Sequence, residues 1–586
     1  MHNLWSLPED ISEIIIGFLP VQFLHFLLDE LSNCPDFRSH PLLDPVVRGI
    51  CRNRFILSEL DESIGEVLKL ANLHPATKCP IGVDFKFDSY NESETENFLL
   101  LLKDPFLHPL RDVHVLVEKD NFFQDGIYRF CLSTDILAPC MSELSLNFSS
   151  STYKNFIDHI FLAMPTFSKL KKLLLTYSDS CQEYIRINIP DSVEHLHIDS
   201  NLVFPVCWPK SMNSLTYFQN VKCLDLSRCW NLESLELYQD NPDFSCVLPA
   251  TLQHLSLSNT TSESLESMDL STLPYLQSLR LALLPHLHTI AKVKFPVTLK
   301  SLEVDGCPIG HLESNLKAFG LILNLSLIAT HLNAEILELV CFTELEKLTL
   351  ADSRLKALPD LSHLSNLQEL IILDSSMTTL LGSCLPGNLE KLSVTSRNTF
   401  TVLNLPSLHS LTLQNVYLDH IQFPSSLEEL TLSHTSISKE NFSSQRTSFQ
   451  NFQFPQSLRL LSITRSPWIV NGLNLPSSLT DLSLRGNSLH SLKEIHIPHI
   501  KKLDVSENDL AAINCNHLPP TLRDLRISKE MIPENSSDPK TSLGTFGLLC
   551  ENTDAFPESL NMMDAGGKDL HVFYSDISHR EVFVCR

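Results

Sequence analysis

Glycine is scarce in this chain, at 16 of 586 residues, well below the usual share of about 7%. This scarcity excludes a collagen-like chain and leaves little material for glycine-rich loops that cradle phosphates. The sequence contains no G-x-x-x-x-G-K-[ST], H-E-x-x-H or G-x-S-x-G motif, and Gly566-Gly567-Lys568 lacks the earlier glycine of a phosphate loop. We therefore expect no enzyme, no catalytic residues and no cofactor.

Basic residues are also few compared with acidic ones. Lys and Arg number 44 against 69 Asp and Glu, which gives a formal net charge of −25. Nucleic acids and anionic membranes attract basic surfaces, so neither is expected as a partner. The acidic balance keeps a leucine-heavy chain soluble and weakly favours a basic partner.

Long apolar runs are missing. The most apolar window, residues 14–31, is interrupted by Pro20, Gln22, His25 and Asp29, whereas a membrane span needs about 20 residues with few polar breaks. The first residues carry no Lys or Arg ahead of this window, so we expect no secretory signal and a cytoplasmic or nuclear protein.

The sixteen cysteines form no C-x-x-C pair. Without a secretion signal they are expected to be reduced and mostly buried. The pairs His195-x-His197 and His286-x-His288 lie on or near positions of strand-like alternation, which puts each pair on one face. We interpret them as surface residues rather than metal ligands, and no metal site is predicted.

One string recurs along most of the chain: an apolar residue and Pro, two further residues, then L-x-x-L-x-[LIV]. The frame begins at Leu248-Pro249, Phe295-Pro296, Leu385-Pro386, Phe423-Pro424, Phe454-Pro455, Leu475-Pro476 and Leu518-Pro519. Copies without the Pro end at Leu146, Leu175, Leu226, Leu281, Leu327, Leu350, Ile372, Leu413 and Val505. From Leu257 to Leu432 successive cores lie 19 to 24 residues apart, which is a repeat array rather than chance.

The spacing has a physical reason. The last two apolar positions are two residues apart, so a short strand points both to one side, and stacked units can bury them in a common core. A small polar residue follows three positions later, where the chain must turn and leave backbone groups unpaired. It is Asn487, Asn508, Cys307, Cys229, Thr260, Thr435 or Ser353. The whole pattern, L-x-x-L-x-L-x-x-[NCT]-x-L, resembles leucine-rich repeats over roughly residues 81–586.

We therefore predict an α/β leucine-rich-repeat solenoid with a curved parallel sheet. The early repeats are predicted to have a helical convex face. Their strands are expected at Asp84–Phe87, Val113–Val117, Leu144–Leu146 and Leu173–Leu175, and helices between strands at Glu92–Lys103 and Tyr153–Met164. Later repeats are too short for a long helix, and their Pro fixes an extended entry, so their convex face should be irregular. Expected loops are Ser438–Asn451 and Pro533–Pro539, with a closing cap at Leu570–Tyr574 and Glu581–Val584.

Three domains are expected: a helical region at 1–60, the solenoid at 61–530 and a loop and capping segment at 531–586. The first region has Pro8 at a first-turn position, acids at Glu9 and Asp10, and apolar residues at helical spacing, as at a helix start. Pro20 should stop this helix, and Val21–Leu31 should form a second.

This opening resembles that of F-box proteins, L-P-x-E-[IL] followed by I, F-L-P and L. The resemblance implies docking on the small adaptor subunit of a cullin ubiquitin ligase, and it places that docking on Leu7, Pro8, Ile11, Ile14, Ile15, Phe18 and Leu19. The later C-R-x-[WF] element of the family is only suggested by residues 47–55. The alternative is a helical cap over the first repeat.

The predicted concave face consists of residues between and after the strand leucines. Toward the C-terminus these are Thr431, Ser433, Ser462, Thr464, Ser483, Arg485, Asp504, Ser506 and Arg526. Small hydrogen-bonding side chains suit a protein target, although Ser and Thr also simply suit an exposed β surface. The sequence thus predicts a substrate receptor for a cullin-type ligase, with a scaffold that has no ubiquitin link as the alternative.

Overall fold

The computed structural model describes residues 21–32, 43, 46–47, 50, 55–57, 81–87, 110–118, 141–148 and 162–177, then 185–526 with gaps, and 546–550, 562–564 and 570–574. The longest gaps within 185–526 are 310–320, 331–341 and 436–452. The chain divides into two compact units. The first comprises Met1–Met268 and Thr272–Leu276, and the second Asp269–Ser271 and Gln277–Arg586.

A helix spans Val21–Ser32, where a second N-terminal helix was predicted. Leu24, Leu27, Leu28 and Leu31 are buried along one stripe, while Phe26 is 43% exposed. The predicted adaptor-docking residues at 7–19 lie outside the described residues. One helix does not establish an F-box fold, so that part of the prediction has no support from the described structure. In the described part of the chain, no helix combines the length and apolar character needed to cross a membrane.

The first unit contains a sheet of parallel strands that follow one another in chain order. Its strands are Phe55–Leu57, Ile81–Phe87, Leu110–Glu118, Met141–Phe148, Lys172–Tyr177, His195–Asp199, Ser214–Phe218, Ser234–Tyr238 and His254–Ser258. The four early strands predicted from the sequence are confirmed.

The second unit contains a sheet of the same kind. Its strands are Ser278–Ala282, Ser301–Asp305, Asn324–Ile328, Lys347–Ala351, Glu369–Leu373, Lys391–Thr395, Ser410–Gln414, Glu429–Ser433, Leu460–Thr464, Asp481–Ser483, Lys502–Asp504, Asp524–Arg526 and Met562–Asp564. Purely parallel pairing between successive coils is the arrangement of a β-solenoid, and the repeat prediction is confirmed at this level.

Alternation within each strand separates core from surface. The second and fourth residues of Leu460–Thr464, Leu461 and Ile463, are 0% exposed, whereas the flanking positions are exposed or half-buried. The same pattern recurs from His195–Asp199 onward. Stacked leucines from successive strands therefore form the core, since each coil alone could not cover its apolar side.

The proline frame forms a turn that leads into each strand. The Leu427 amide donates to the Pro424 carbonyl at 3.2 Å, and the Leu479 amide donates to the Pro476 carbonyl at 3.2 Å. A hydroxyl two residues after the Pro then bridges to the preceding coil, as where Ser426 Oγ donates to the Leu408 carbonyl at 2.8 Å. The Pro therefore begins a tight turn before the strand, in addition to the extended entry that was predicted from the sequence.

One predicted repeat core was wrong. Leu226 does not end a strand of the main sheet, because Cys223–Asp225 pairs instead with Ser245–Val247 in a separate two-stranded sheet. The main sheet is built there by Ser214–Phe218 and Ser234–Tyr238.

Segments between the main strands carry short parallel strands in several places. These are Ile185–Ile187 with Val203–Pro205, Cys223–Asp225 with Ser245–Val247, Thr379–Leu380 with Thr399–Phe400, and Ala512–Asn514 with Phe546–Cys550 and Leu570–Tyr574. There are also 3-10 turns at Met164–Thr166 and Leu270–Thr272. Of the predicted helix Tyr153–Met164, residues 162–163 are helical. The predicted helix Glu92–Lys103, both predicted loops and the segment Glu581–Val584 lie outside the described residues.

Candidate protein-binding face

The first, third and fifth residues of the main strands form one side of each sheet, which we call the exposed face. Seven of the nine residues of the predicted concave face lie on this side in the second unit, and Arg485 and Ser506 lie in the turns that follow Asp481–Ser483 and Lys502–Asp504. Arg485 and Arg526 are exposed, and the other seven are half-buried. Whether they bind a target stays a prediction.

Strand register brings most of these residues together. Thr431, Ser462, Ser483, Asp504 and Arg526 are successive partners on neighbouring strands and form one continuous row. Ser433 and Thr464 are partners in the adjacent row. A parallel sheet places such partners about 4.8 Å apart, so the sequence prediction picked out a connected polar surface.

The first residues of the strands also belong to the exposed face, and sequence reasoning missed them. They carry opposite charges on neighbouring strands: Lys347 Nζ lies 3.0 Å from Glu369 Oε1, and Lys502 Nζ lies 3.1 Å from Asp481 Oδ1. The signal was a charged residue directly before the L-x-L core. Exposed pairs of this kind contribute about 0–1 kcal/mol each, so they shape the charge of the face more than its stability.

Arginines add stronger fixed contacts to the face. Arg280 reaches two carboxylates on the next strand, with Nε 2.8 Å from Glu303 Oε1 and Nη2 2.9 Å from Asp305 Oδ2. Across three later coils, Arg485 and then Arg465 lower the pKa of Glu507 by hydrogen bonding and charge. These carboxylates are engaged within the chain and offer a partner little unpaired charge.

Buried polar side chains support the edge where the chain leaves the strands. Asn487 and Asn508 are 1% and 2% exposed. Asn508 Oδ1 accepts from the Asn487 amide at 2.8 Å and the Leu489 amide at 3.1 Å, while its Nδ2 donates to the Leu484 carbonyl at 2.8 Å. Of the other predicted turn residues, Cys307, Cys229 and Thr435 are buried, and Thr260 and Ser353 lie outside the described residues. Thr330 and Ser466 occupy the same position and were missed.

The described cysteines do not follow the expectation of general burial. All six are free: Cys229 and Cys307 are buried, Cys246 and Cys384 are half-buried, and Cys207 and Cys223 are exposed. One cleft of the first unit is lined by Trp208, Tyr217, Cys223 and Asp225 but by no histidine that could activate the thiol. Within the described residues, no group of three or more His, Cys, Asp or Glu side chains could hold a metal ion.

No protein-family model matches the chain, and a search of curated proteins finds no match. Solved structures that it resembles include a leucine-rich-repeat protein of Leptospira interrogans (17% identity, TM-score 0.32, 78% of this chain and 96% of that one). Others are an internalin of Listeria monocytogenes (15%, 0.25, 61% and 81%) and Toll of Drosophila in its complex with Spatzle (15%, 0.37, 77% and 63%). The description of this chain as a repeat solenoid rests on its own strand register and burial.

Proposed function

We propose that this chain is a non-enzymatic protein-binding module and that the exposed face of its repeats holds the target. The observation that carries the proposal is the unbroken sheet of the second unit from Ser278–Ala282 to Asp524–Arg526. Its exposed face is broad and lined by Ser, Thr and paired charges. Small molecules favour enclosed concave sites, whereas a long polar strip suits an extended protein surface.

We further propose that the chain is the substrate receptor of a cullin-type ubiquitin ligase in the cytoplasm or nucleus. The support is the F-box-like opening, whose Leu7, Pro8, Ile11, Ile14, Ile15, Phe18 and Leu19 would contact the adaptor. The helix Val21–Ser32 falls where the second helix of that opening was expected.

The alternative is a repeat scaffold with no ubiquitin link. In that case residues 1–60 only cap the first repeats, and the buried stripe of Leu24, Leu27, Leu28 and Leu31 is what a cap requires.

Affinity purification of the full chain, with and without Ile15→Asp plus Leu19→Asp, separates the two. The ligase proposal expects the adaptor to copurify with the parent chain and to be lost with the double variant, because buried charge opposes docking. The matched control is Phe26→Asp, at an exposed helix position outside the proposed contact. Absence of the adaptor from both samples, with a normal circular dichroism spectrum, removes the ligase role and leaves the scaffold.

A further inference from the structure

Three aromatic side chains meet on the exposed face of the first unit. Phe218 and Tyr238 are direct partners on neighbouring strands, with ring centroids 5.5 Å apart and planes inclined by 30°. The ring of His197, on the strand beyond Phe218, lies 5.7 Å from the Phe218 ring. We call these three side chains the aromatic patch.

The aromatic patch is open to solvent although it is largely apolar. Tyr238 is 37% exposed, and Phe218 and His197 are half-buried. On the described strands of the second unit, the exposed face carries no Phe, Tyr or Trp. Exposed aromatic residues are characteristic of binding hot spots, so this position differs in kind from the Ser- and Thr-lined rows.

Two carboxylates flank the aromatic patch. Asp199 is the strand partner of Phe218, and Glu236 precedes Tyr238 by two residues on the same face. Both act electrostatically on His197. Neither forms an ion pair with a Lys or Arg of the described chain, unlike Glu143, which Lys172 neutralises at 2.8 Å. Burial lowers the pKa of His197, so near pH 7 the ring adds little positive charge and the site is net negative.

We infer that the aromatic patch, with Asp199 and Glu236, binds an arginine side chain on a protein partner. A guanidinium can stack on the ring faces and at the same time donate N–H groups to flanking carboxylates. A lysine ammonium can also lie over a ring, but it lacks the planar fork that stacks on the rings and donates to carboxylates at the same time. The net charge of −25 steers basic partners toward the chain. The inference rests on the proposed protein-binding function and names the chemistry of its target.

The test pans a phage-displayed library of random twelve-residue peptides on the full chain. Selected peptides should be enriched in arginine. Their affinity should fall about tenfold when Tyr238→Ala removes an exposed ring, or when Asp199→Asn plus Glu236→Gln removes the charges with little change of shape. Replacing the peptide arginine by lysine should weaken binding to the parent chain, and Tyr238→Phe, which keeps the ring, should retain it. Tyr275→Ala, at a turn position that is 61% exposed and lies outside the main strands, is the matched control and should have no effect.

Selected peptides without arginine enrichment overturn the inference, and so does unchanged affinity in the Tyr238→Ala and charge variants. Peptides whose binding falls with Thr431→Ala, on the exposed face of the second unit, but not with the variants of the aromatic patch would overturn this inference. They would leave the protein-binding function intact and place the site in the second unit. Failure to select any peptide would overturn both this inference and the proposed protein-binding function. The adaptor purification reports on the ligase role independently.

Discussion

Asn508 shows how a single residue holds neighbouring coils together. Its side chain is 2% exposed, and its amide group bonds to backbone groups of its own coil and the preceding one. Buried backbone groups at a turn must find partners because water is excluded there. One amide side chain supplies both a donor and an acceptor, which explains why a small polar residue recurs at this point.

Replacing Asn508 by Ala should lower the free energy of unfolding by about 2–4 kcal/mol, because several buried backbone groups lose their partners together. Urea denaturation followed by circular dichroism measures the loss. Asn388→Ala is the control, since Asn388 is exposed and its side chain bonds one carbonyl, that of Ser365, at 3.0 Å. Equal effects for the two variants would contradict the role assigned to Asn508.

Cysteine reactivity should report on the separation of core from surface. Burial raises the pKa of Cys229 and Cys307 to about 11 and that of Cys246 to about 12, and only the thiolate reacts with maleimides. At pH 7.5 in the native state, Cys207 and Cys223 should be labelled within minutes and these three should not. Peptide mass spectrometry assigns the labelled sites. Rapid labelling of Cys307 in the native state would show that the turn after the strand Ser301–Asp305 is not buried.

At the scale of elements, the strand exits share a backbone conformation. The residue two positions after the last aliphatic residue of the repeat core has a positive φ in nine coils of the second unit: Leu283, Gly306, Ala329, Asp352, Asn415, His434, Arg465, Gly486 and Glu507. The amide of this residue donates to the next coil, as from Gly306 to the Ile328 carbonyl at 2.9 Å. A left-handed residue thus turns the chain out of each strand and links it to its neighbour, and side chains other than Gly or Asn are strained there.

Ala329→Gly should therefore stabilise the chain, by up to about 1 kcal/mol, because relief of left-handed strain exceeds the added entropy of the unfolded chain. Asn415→Gly is the matched control and should change little, since Asn tolerates this conformation. Thermal unfolding of the three proteins measures the difference. A lower midpoint for Ala329→Gly than for the parent chain would contradict the assigned backbone geometry.

The positions of the strands could be predicted from the sequence mainly where leucine occupies the buried positions. The L-x-x-L-x-L cores from Leu281 onward correspond to observed strands because both inward positions are aliphatic. Ser214–Phe218 was missed because Met212 and Tyr217 occupy the places of leucines. Ser234–Tyr238 carries the full pattern at Leu232, Leu235 and Leu237 but was passed over for the core ending at Leu226, because Cys223–Asp225 resembles the pattern while pairing in a separate sheet. The left-handed exits could not be predicted, since Leu283 and Arg465 give no local signal for positive φ. The aromatic patch depends on the missed strands and was missed with them.

At the scale of the whole molecule, each unit is a series of coils that contact their sequence neighbours. Stability in such arrays is close to a sum of coil and interface terms. Lys391, Ser410 and Glu429 are successive register partners at intervals of 19 residues, so neighbouring coils here are nearly interchangeable in geometry.

Deleting residues 410–428 removes one complete coil and brings Glu429 into the place of Ser410. The shortened chain should keep its strand content by circular dichroism and unfold at a somewhat lower urea concentration, because one interface is lost. Deleting only 410–419 removes the strand Ser410–Gln414 but leaves half a coil, and it should disrupt the neighbouring coils. Similar unfolding curves for the two deletions would contradict a modular array.

Hydrogen–deuterium exchange of the full chain tests the stacked-coil arrangement most directly, because strand amides bonded between coils exchange slowly. In the second unit we expect slow exchange in short segments at Ser278–Ala282 and at each main strand through Asp524–Arg526, beginning every 19 to 31 residues. Faster exchange is expected in the turns between them. Slow exchange that continues through those turns, or rapid exchange at Leu460–Thr464, would contradict the arrangement and the binding face built on it.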